Sequence, residues 1–155
     1  MGFFIAKNMV WCLTSKLTIK KGRKMTTSRK ETIFKYREEI DALSNDVRKW
    51  ISSHDDNLSK EEILTYVENA FFECKKLQSI KTNEIKTIID SVFMRTSSKY
   101  GILSELLEDS SINEIMVNGP NYIYVEKNRK VIPVDDAFTS AEELEEVIRM
   151  FASDI

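Results

Sequence analysis

Glycine and proline are scarce in this sequence, four and two among 155 residues. That scarcity excludes low-complexity linkers and a disordered, Pro/Gly-rich chain. Cysteine is as rare: Cys12 and Cys74 have no paired spacing, which excludes a disulfide framework and a zinc site and fits a reducing, cytoplasmic setting. A bilayer-spanning apolar run is missing too. The apolar start around Phe3, Phe4 and Ile5 is split by Lys7 and Asn8, and most of its charges follow it rather than precede it. It is therefore neither a membrane span nor a signal peptide. Gly2 lacks the hydroxyl at position 6 that myristoylation needs, since Ala6 stands there.

A phosphate-binding loop is also absent. It needs a second glycine five residues after the first, then Lys and Ser or Thr, so that backbone amides cradle phosphates. Five residues after Gly2, Gly22, Gly101 and Gly119 stand Lys7, Thr27, Leu106 and Tyr124. The sequence thus offers no nucleotide-binding residue, no catalytic residue, no metal ligand set and no cofactor site of its own.

What is present is a globular composition, 42% hydrophobic and 31% charged, with length for one ordinary domain or two small ones. Charge is unevenly spread. Residues 1–24 carry six cations and no acid, which leaves −8 for the other 131 residues of a chain whose net charge is −2. The acidic remainder argues against nucleic acid as a partner. The basic start reads either as an arm for a membrane surface or an anionic partner, or as sequence upstream of a true start at Met25.

Three helices follow this arm of residues 1–27. Ser28-Arg-Lys-Glu31 is a capping box, and Ile33, Tyr36, Ile40, Leu43, Val47 and Trp50 recur at helical spacing to about Ser52. Ser59-Lys-Glu-Glu62 opens a second helix whose buried face is Ile63, Val67, Ala70, Phe71, Cys74 and Leu77. A third spans about Asn83 to Ser97, with Ile85, Ile88, Ile89, Val92 and Phe93 inward. Short connections make residues 28–98 a three-helix bundle.

Residues 99–155 change character. Ile102, Leu103, Leu106 and Leu107 suit a short helix. Strands are expected at Ile115–Val117, Tyr122–Val125 and Val131–Val134, the last at an edge because Pro133 has no amide to donate. A final helix begins near Thr139 or Ser140, with Leu144, Val147, Ile148 and Phe151 inward. The class is therefore α+β, a helical bundle followed by a small three-stranded α/β module. So few short elements bury little surface, and the module reads as the start of a larger domain. Asn118 and Gly119 both tolerate left-handed backbone, and Pro120 keeps Gly119 out of the helical region, so Asn118-Gly119-Pro120 reads as a tight strand connection rather than a ligand contact.

Tyr100-Gly-Ile-Leu-Ser-Glu-Leu-Leu107, Ile112-Asn-Glu-Ile-Met-Val-Asn-Gly-Pro120 and Ile123-Tyr-Val-Glu-Lys127, followed by Phe138 and a helix, resemble the N-terminal domain of CpaF-like ATPases of type II/IV secretion and Tad/Flp pilus assembly. Residues 28–98 resemble that family's helical extension only by type and position. The resemblance implies a non-catalytic part of a hexameric motor that passes ATP-driven domain motion to inner-membrane platform proteins. The ATP and magnesium sites would lie in a downstream RecA-like domain, and the protein would be cytoplasmic or peripheral at the inner membrane. The alternative is a stand-alone interaction or regulatory module without enzyme activity. One departure is the turn Lys127-Asn-Arg-Lys130, which lacks the family's glycine. Arg129 takes positive φ unwillingly, so a different turn type is expected there.

The remaining candidates have plain explanations. His54, beside Asp55 and Asp56, suits a solvated turn better than a metal site, and Cys74 suits core packing better than a nucleophile. Asp135, Asp136, Glu142, Glu143, Glu145 and Glu146 suit a helix N-terminus and its wet outer face better than paired catalytic acids.

Overall fold

A computed structural model of the chain describes residues 28–54 and 58–154, together with the backbone of residues 5–6 and 9–10. The basic arm expected over residues 1–27 otherwise lies outside the described residues, as do Asp55, Asp56 and Asn57. The architecture is α+β, as expected.

Strands β1 (Ile5–Ala6) and β2 (Met9–Val10) come first, then helices α1 (Arg29–Lys35), α2 (Arg37–Ser52), α3 (Lys60–Glu73) and α4 (Thr82–Ser97). Both expected capping boxes form. Ser28 and Ser59 accept from the amides of Glu31 and Glu62, whose carboxylates reach back to the serine amides. The first expected helix is instead two, broken at Tyr36 (φ −115°, ψ 22°). At the break the Lys35 ammonium and the Tyr36 hydroxyl converge on Glu84 of α4, at 3.0 and 3.3 Å. Glu84 is only 2% exposed. Its partners come from a helix 48 residues upstream, so periodicity along α1 and α2 gives no sign of the interruption. The second expected helix ends early as well. Cys74 is extended (φ −73°, ψ 104°), and a 3₁₀ turn, Lys75–Leu77, delivers Leu77 to the core that a continued helix was expected to reach. Ile40, Val47, Val67, Ile88 and Val92 are at most 1% exposed at the centre of this cluster, each contributing about 1.5–3 kcal/mol of burial.

After a 3₁₀ turn at Gly101–Leu103 come α5 (Ser104–Glu108), strands β3 (Ile112–Val117), β4 (Ile123–Lys127) and β5 (Lys130–Pro133), and helix α6 (Ala141–Ser153). Strands β3, β4 and β5 form an antiparallel meander, and β2 pairs parallel with β3, Met9 opposite Ile115. Ile115, Val117, Ile123 and Val125 project to one face, where they pack with Ile102, Leu103, Phe138, Leu144 and Val147 as a second core. Ile148, expected to point inward, is 36% exposed. Phe151 instead closes this core's flank by stacking on Tyr100, with centroids 4.0 Å apart. As expected, β5 is a fully exposed edge.

The β4–β5 turn overturns the expectation drawn from Arg129. Asn128 (φ 53°) and Arg129 (φ 60°) both adopt left-handed backbone. This is the two-residue hairpin geometry that matches strand twist, here without glycine. Holding an arginine there costs about 1 kcal/mol. Arg129→Gly is therefore expected to stabilise the chain by about 0.5–1 kcal/mol in urea denaturation. An unchanged midpoint would mean that the turn is not strained.

Candidate functional site

The segments that carry the most sequence information, residues 114–120 and 134–140, meet the helical bundle at one place. Gly119 has φ 88° with open space where a Cβ would stand, so its glycine serves conformation rather than packing. The turn closes through Asn118 N–H donating to the Tyr122 carbonyl (2.8 Å). It is held from outside by Phe138 N–H donating to the Pro120 carbonyl (2.9 Å), and the Lys30 ammonium donates to the Asn121 carbonyl. Asn118 Oδ1 is buried with no partner among the described residues. Asn118, Gly119 and Pro120 thus form a strand connection seated against residues distant in sequence.

Beside it, Asp135 holds the start of α1. Its Oδ2 accepts from Arg29 N–H (3.0 Å), while its Oδ1 accepts from Lys30 N–H (3.2 Å) and from the Ser28 hydroxyl (2.7 Å). The other two open amides, of Ser28 and Glu31, go to the Glu31 carboxylate and the Ser28 hydroxyl. All four amides that a helix start leaves open are thereby satisfied. Burial opposes ionisation of Asp135, but the Ser28 hydroxyl and the amides of Lys30 and Arg29 outweigh it and hold its pKa below the ordinary aspartate value. Asp136 meets Arg29 Nε at 2.8 Å and accepts from the amide of Ala137. The two acids therefore cap and pair with α1, more than a hundred residues upstream, and not α6, the helix that follows them.

A lowered folded-state pKa places the contribution of Asp135 above its unfolded pKa, near 3.9; the contribution is lost as pH falls through the folded value. Asp135→Asn is expected to cost about 1 kcal/mol at pH 7, as caps do, and progressively less on acidification. Urea denaturation at pH 7 and pH 3 reads both numbers. Equal losses at the two values would remove the carboxylate from the explanation.

The third contact is Arg95, whose side chain is 1% exposed. Its terminal nitrogens donate to Ser91 Oγ (2.6 Å), the Ser91 carbonyl (3.1 Å) and the Ala137 carbonyl (2.6 Å). Its Nε lies 2.9 Å from Glu143 Oε1 but is not aligned for a hydrogen bond, so that contact is ionic. Glu143 Oε2 accepts from the amide of Thr139, and the Thr139 hydroxyl lies within hydrogen-bond reach of both Glu143 Oε2 and Asp41 of α2, its one proton serving either carboxylate in turn. Glu143 is therefore an inward, paired acid, contrary to the wet outer face expected for it. Glu142, Glu145 and Glu146 are exposed as expected. Sequence reading missed Arg95 and Glu84, although both lie on the buried stripe Glu84-Ile88-Ser91-Arg95 of α4. Polar residues at apolar positions of a helical repeat were the available signal.

The His54 ring lies tilted at 41° against Trp50 (4.5 Å), which stacks on Tyr66 (4.2 Å), and its Nδ1 lies 2.7 Å from the Trp50 carbonyl. Among the described residues no three His, Cys, Asp or Glu side chains are grouped to hold a metal, and no helix is long and apolar enough to cross a membrane. These contacts join the helical bundle to the sheet. The chain matches no protein-family model and no curated protein.

Proposed function

We propose that the chain is the N-terminal, non-catalytic part of a CpaF-like secretion or pilus-assembly ATPase, a lever that passes ATP-driven motion to an inner-membrane platform. The observation that carries this reading is the string Glu114-Ile-Met-Val-Asn-Gly-Pro120, which is specific in sequence and also structurally central. It forms β3 and the turn to β4, and that turn is tied to both Phe138 and Lys30. A lever must move as one body, and the polar contacts of Asp135, Asp136 and Arg95 join sheet to bundle at three points. ATP and magnesium would be bound by a downstream RecA-like domain, in a homo-hexamer at the cytoplasmic side of the inner membrane.

The test is the reading frame that contains this chain. It is expected to encode Gly-x-x-x-x-Gly-Lys-Ser/Thr within about a domain's length after Ile155. The protein from the whole frame should hydrolyse ATP, and residues 1–155 alone should not. A stop codon directly after Ile155, or phosphate release by the 155-residue chain, refutes the motor reading. The stop codon would favour a stand-alone interaction module.

A further inference from the structure

The strand register sorts the sheet into two unlike faces. One is the core face already described. On the other stand Glu114 and Met116 of β3, Tyr124 and Glu126 of β4, and Val131 and Pro133 of β5, because successive side chains alternate. Met116 lies opposite Tyr124, and Tyr124 opposite Pro133, giving an apolar row across three strands. Two residues along each strand, Glu114 lies opposite Glu126, and Glu126 opposite Val131. None of these six side chains joins either hydrophobic cluster, and Val131 is 59% exposed.

The second row is the informative one. Carboxylates directly opposite each other on one face of a sheet repel and weaken the pairing. Among the described residues no Lys or Arg lies within ion-pair distance of either; the single polar contact is Asn113 Nδ2 at 3.5 Å from Glu126. By contrast, Asp135 has three donors, and Asp136 and Glu143 each face an arginine. Among the described residues this pair has no cation and stands beside an apolar strip, on a body that carries −8 outside its first 24 residues.

We propose that this face is a docking surface for a basic amphipathic segment of a partner protein. The segment would place an arginine over the Glu114–Glu126 pair and apolar side chains on Met116, Tyr124 and Pro133. Arginine fits better than lysine, because a planar guanidinium can engage two carboxylates at once. Apolar and cationic contacts would sit about 7 Å apart, two residues along a strand. The edge of β5 is the poorer site, since Pro133 contributes no amide for strand addition. The surface belongs to this sheet and does not depend on the secretion reading.

The probe is a fluorescein-labelled peptide alternating arginine and leucine, titrated into the full 155-residue chain, with a glutamate-for-arginine peptide as control. Binding by the arginine peptide alone is expected, weakening as salt rises, with amide NMR shifts at Glu114, Met116, Tyr124, Glu126 and Val131. The double variant Glu114→Gln, Glu126→Gln should bind roughly tenfold more weakly, and should melt no lower than the parent because a repulsive pair is gone. Equal affinity in the double variant, or shifts mapping to the acids of α6 instead, overturns the proposal. Binding that appears only after residues 1–27 are deleted gives the face to the chain's own basic segment. Concentration-dependent self-association lost in the double variant gives it to a second copy. Either result removes the outside partner.

Discussion

Replacing Arg95 by methionine is expected to cost about 3–5 kcal/mol, a large part of the stability of a domain this size. The loss comes mainly from what is left behind. Without the guanidinium, the Glu143 carboxylate keeps only Thr139 as a donor in a nearly dry site, and the Ala137 and Ser91 carbonyls lose their partners. Uncompensated buried polar groups cost more than a made pair contributes. Arg95→Lys should recover part of the loss, since one ammonium cannot reach Ser91, Ala137 and Glu143 together. The double variant Arg95→Met, Glu143→Gln should lose clearly less than the sum of its single changes, because the stranded charge is gone. Urea denaturation of the four proteins measures the coupling. Additive losses would show that Arg95 and Glu143 do not act as a pair.

Phe138→Ala is expected to cost a comparable 3–5 kcal/mol for a different reason. Phe138 is 2% exposed and is among the largest buried side chains, lying in the sheet core with Ile123, Val125 and Leu144. Truncation leaves a cavity that so small a core closes poorly. It also loosens the segment whose backbone ties the two parts: the Ala137 carbonyl accepts from Arg95, and the Phe138 amide donates to Pro120. Phe138→Leu should lose less than half as much, because most of the volume stays. Hydrogen exchange separates packing from tethering. Faster exchange at Asn118 and Tyr122 in the alanine variant is expected if the turn depends on Phe138, and exchange confined to the core would overturn that dependence.

How much of this was legible beforehand varied with the range of the interaction. Helix starts at Ser28 and Ser59 were readable because a capping box is closed by residues three apart. The apolar stripes of α2, α3 and α4 were readable because 3.6-residue periodicity is local. The strand edge at Pro133 followed from one missing amide. The break at Tyr36 was not readable, because its partner Glu84 lies on another helix. The left-handed Arg129 was misjudged because intrinsic preference argued against it, while the twist of the flanking strands required it.

The junction shows the same division most plainly. Asp135, Asp136 and Glu143 were visible as acids near a helix start, and local reasoning assigned them to the helix that follows. The fold assigns Asp135 and Asp136 to α1, more than a hundred residues earlier, and Glu143 to Arg95. The sequence by itself determined the order of helices and strands from Ser28 onward, though not β1, β2 or the break at Tyr36, together with the two apolar cores, the acidic body and the lack of a phosphate-loop motif, since each is a property of neighbouring residues or of composition. Only the tertiary structure decided which charges meet, which side chains share the sheet face turned from the core and where two carboxylates face each other. Those depend on distances between residues far apart along the chain, which periodicity and propensity do not encode.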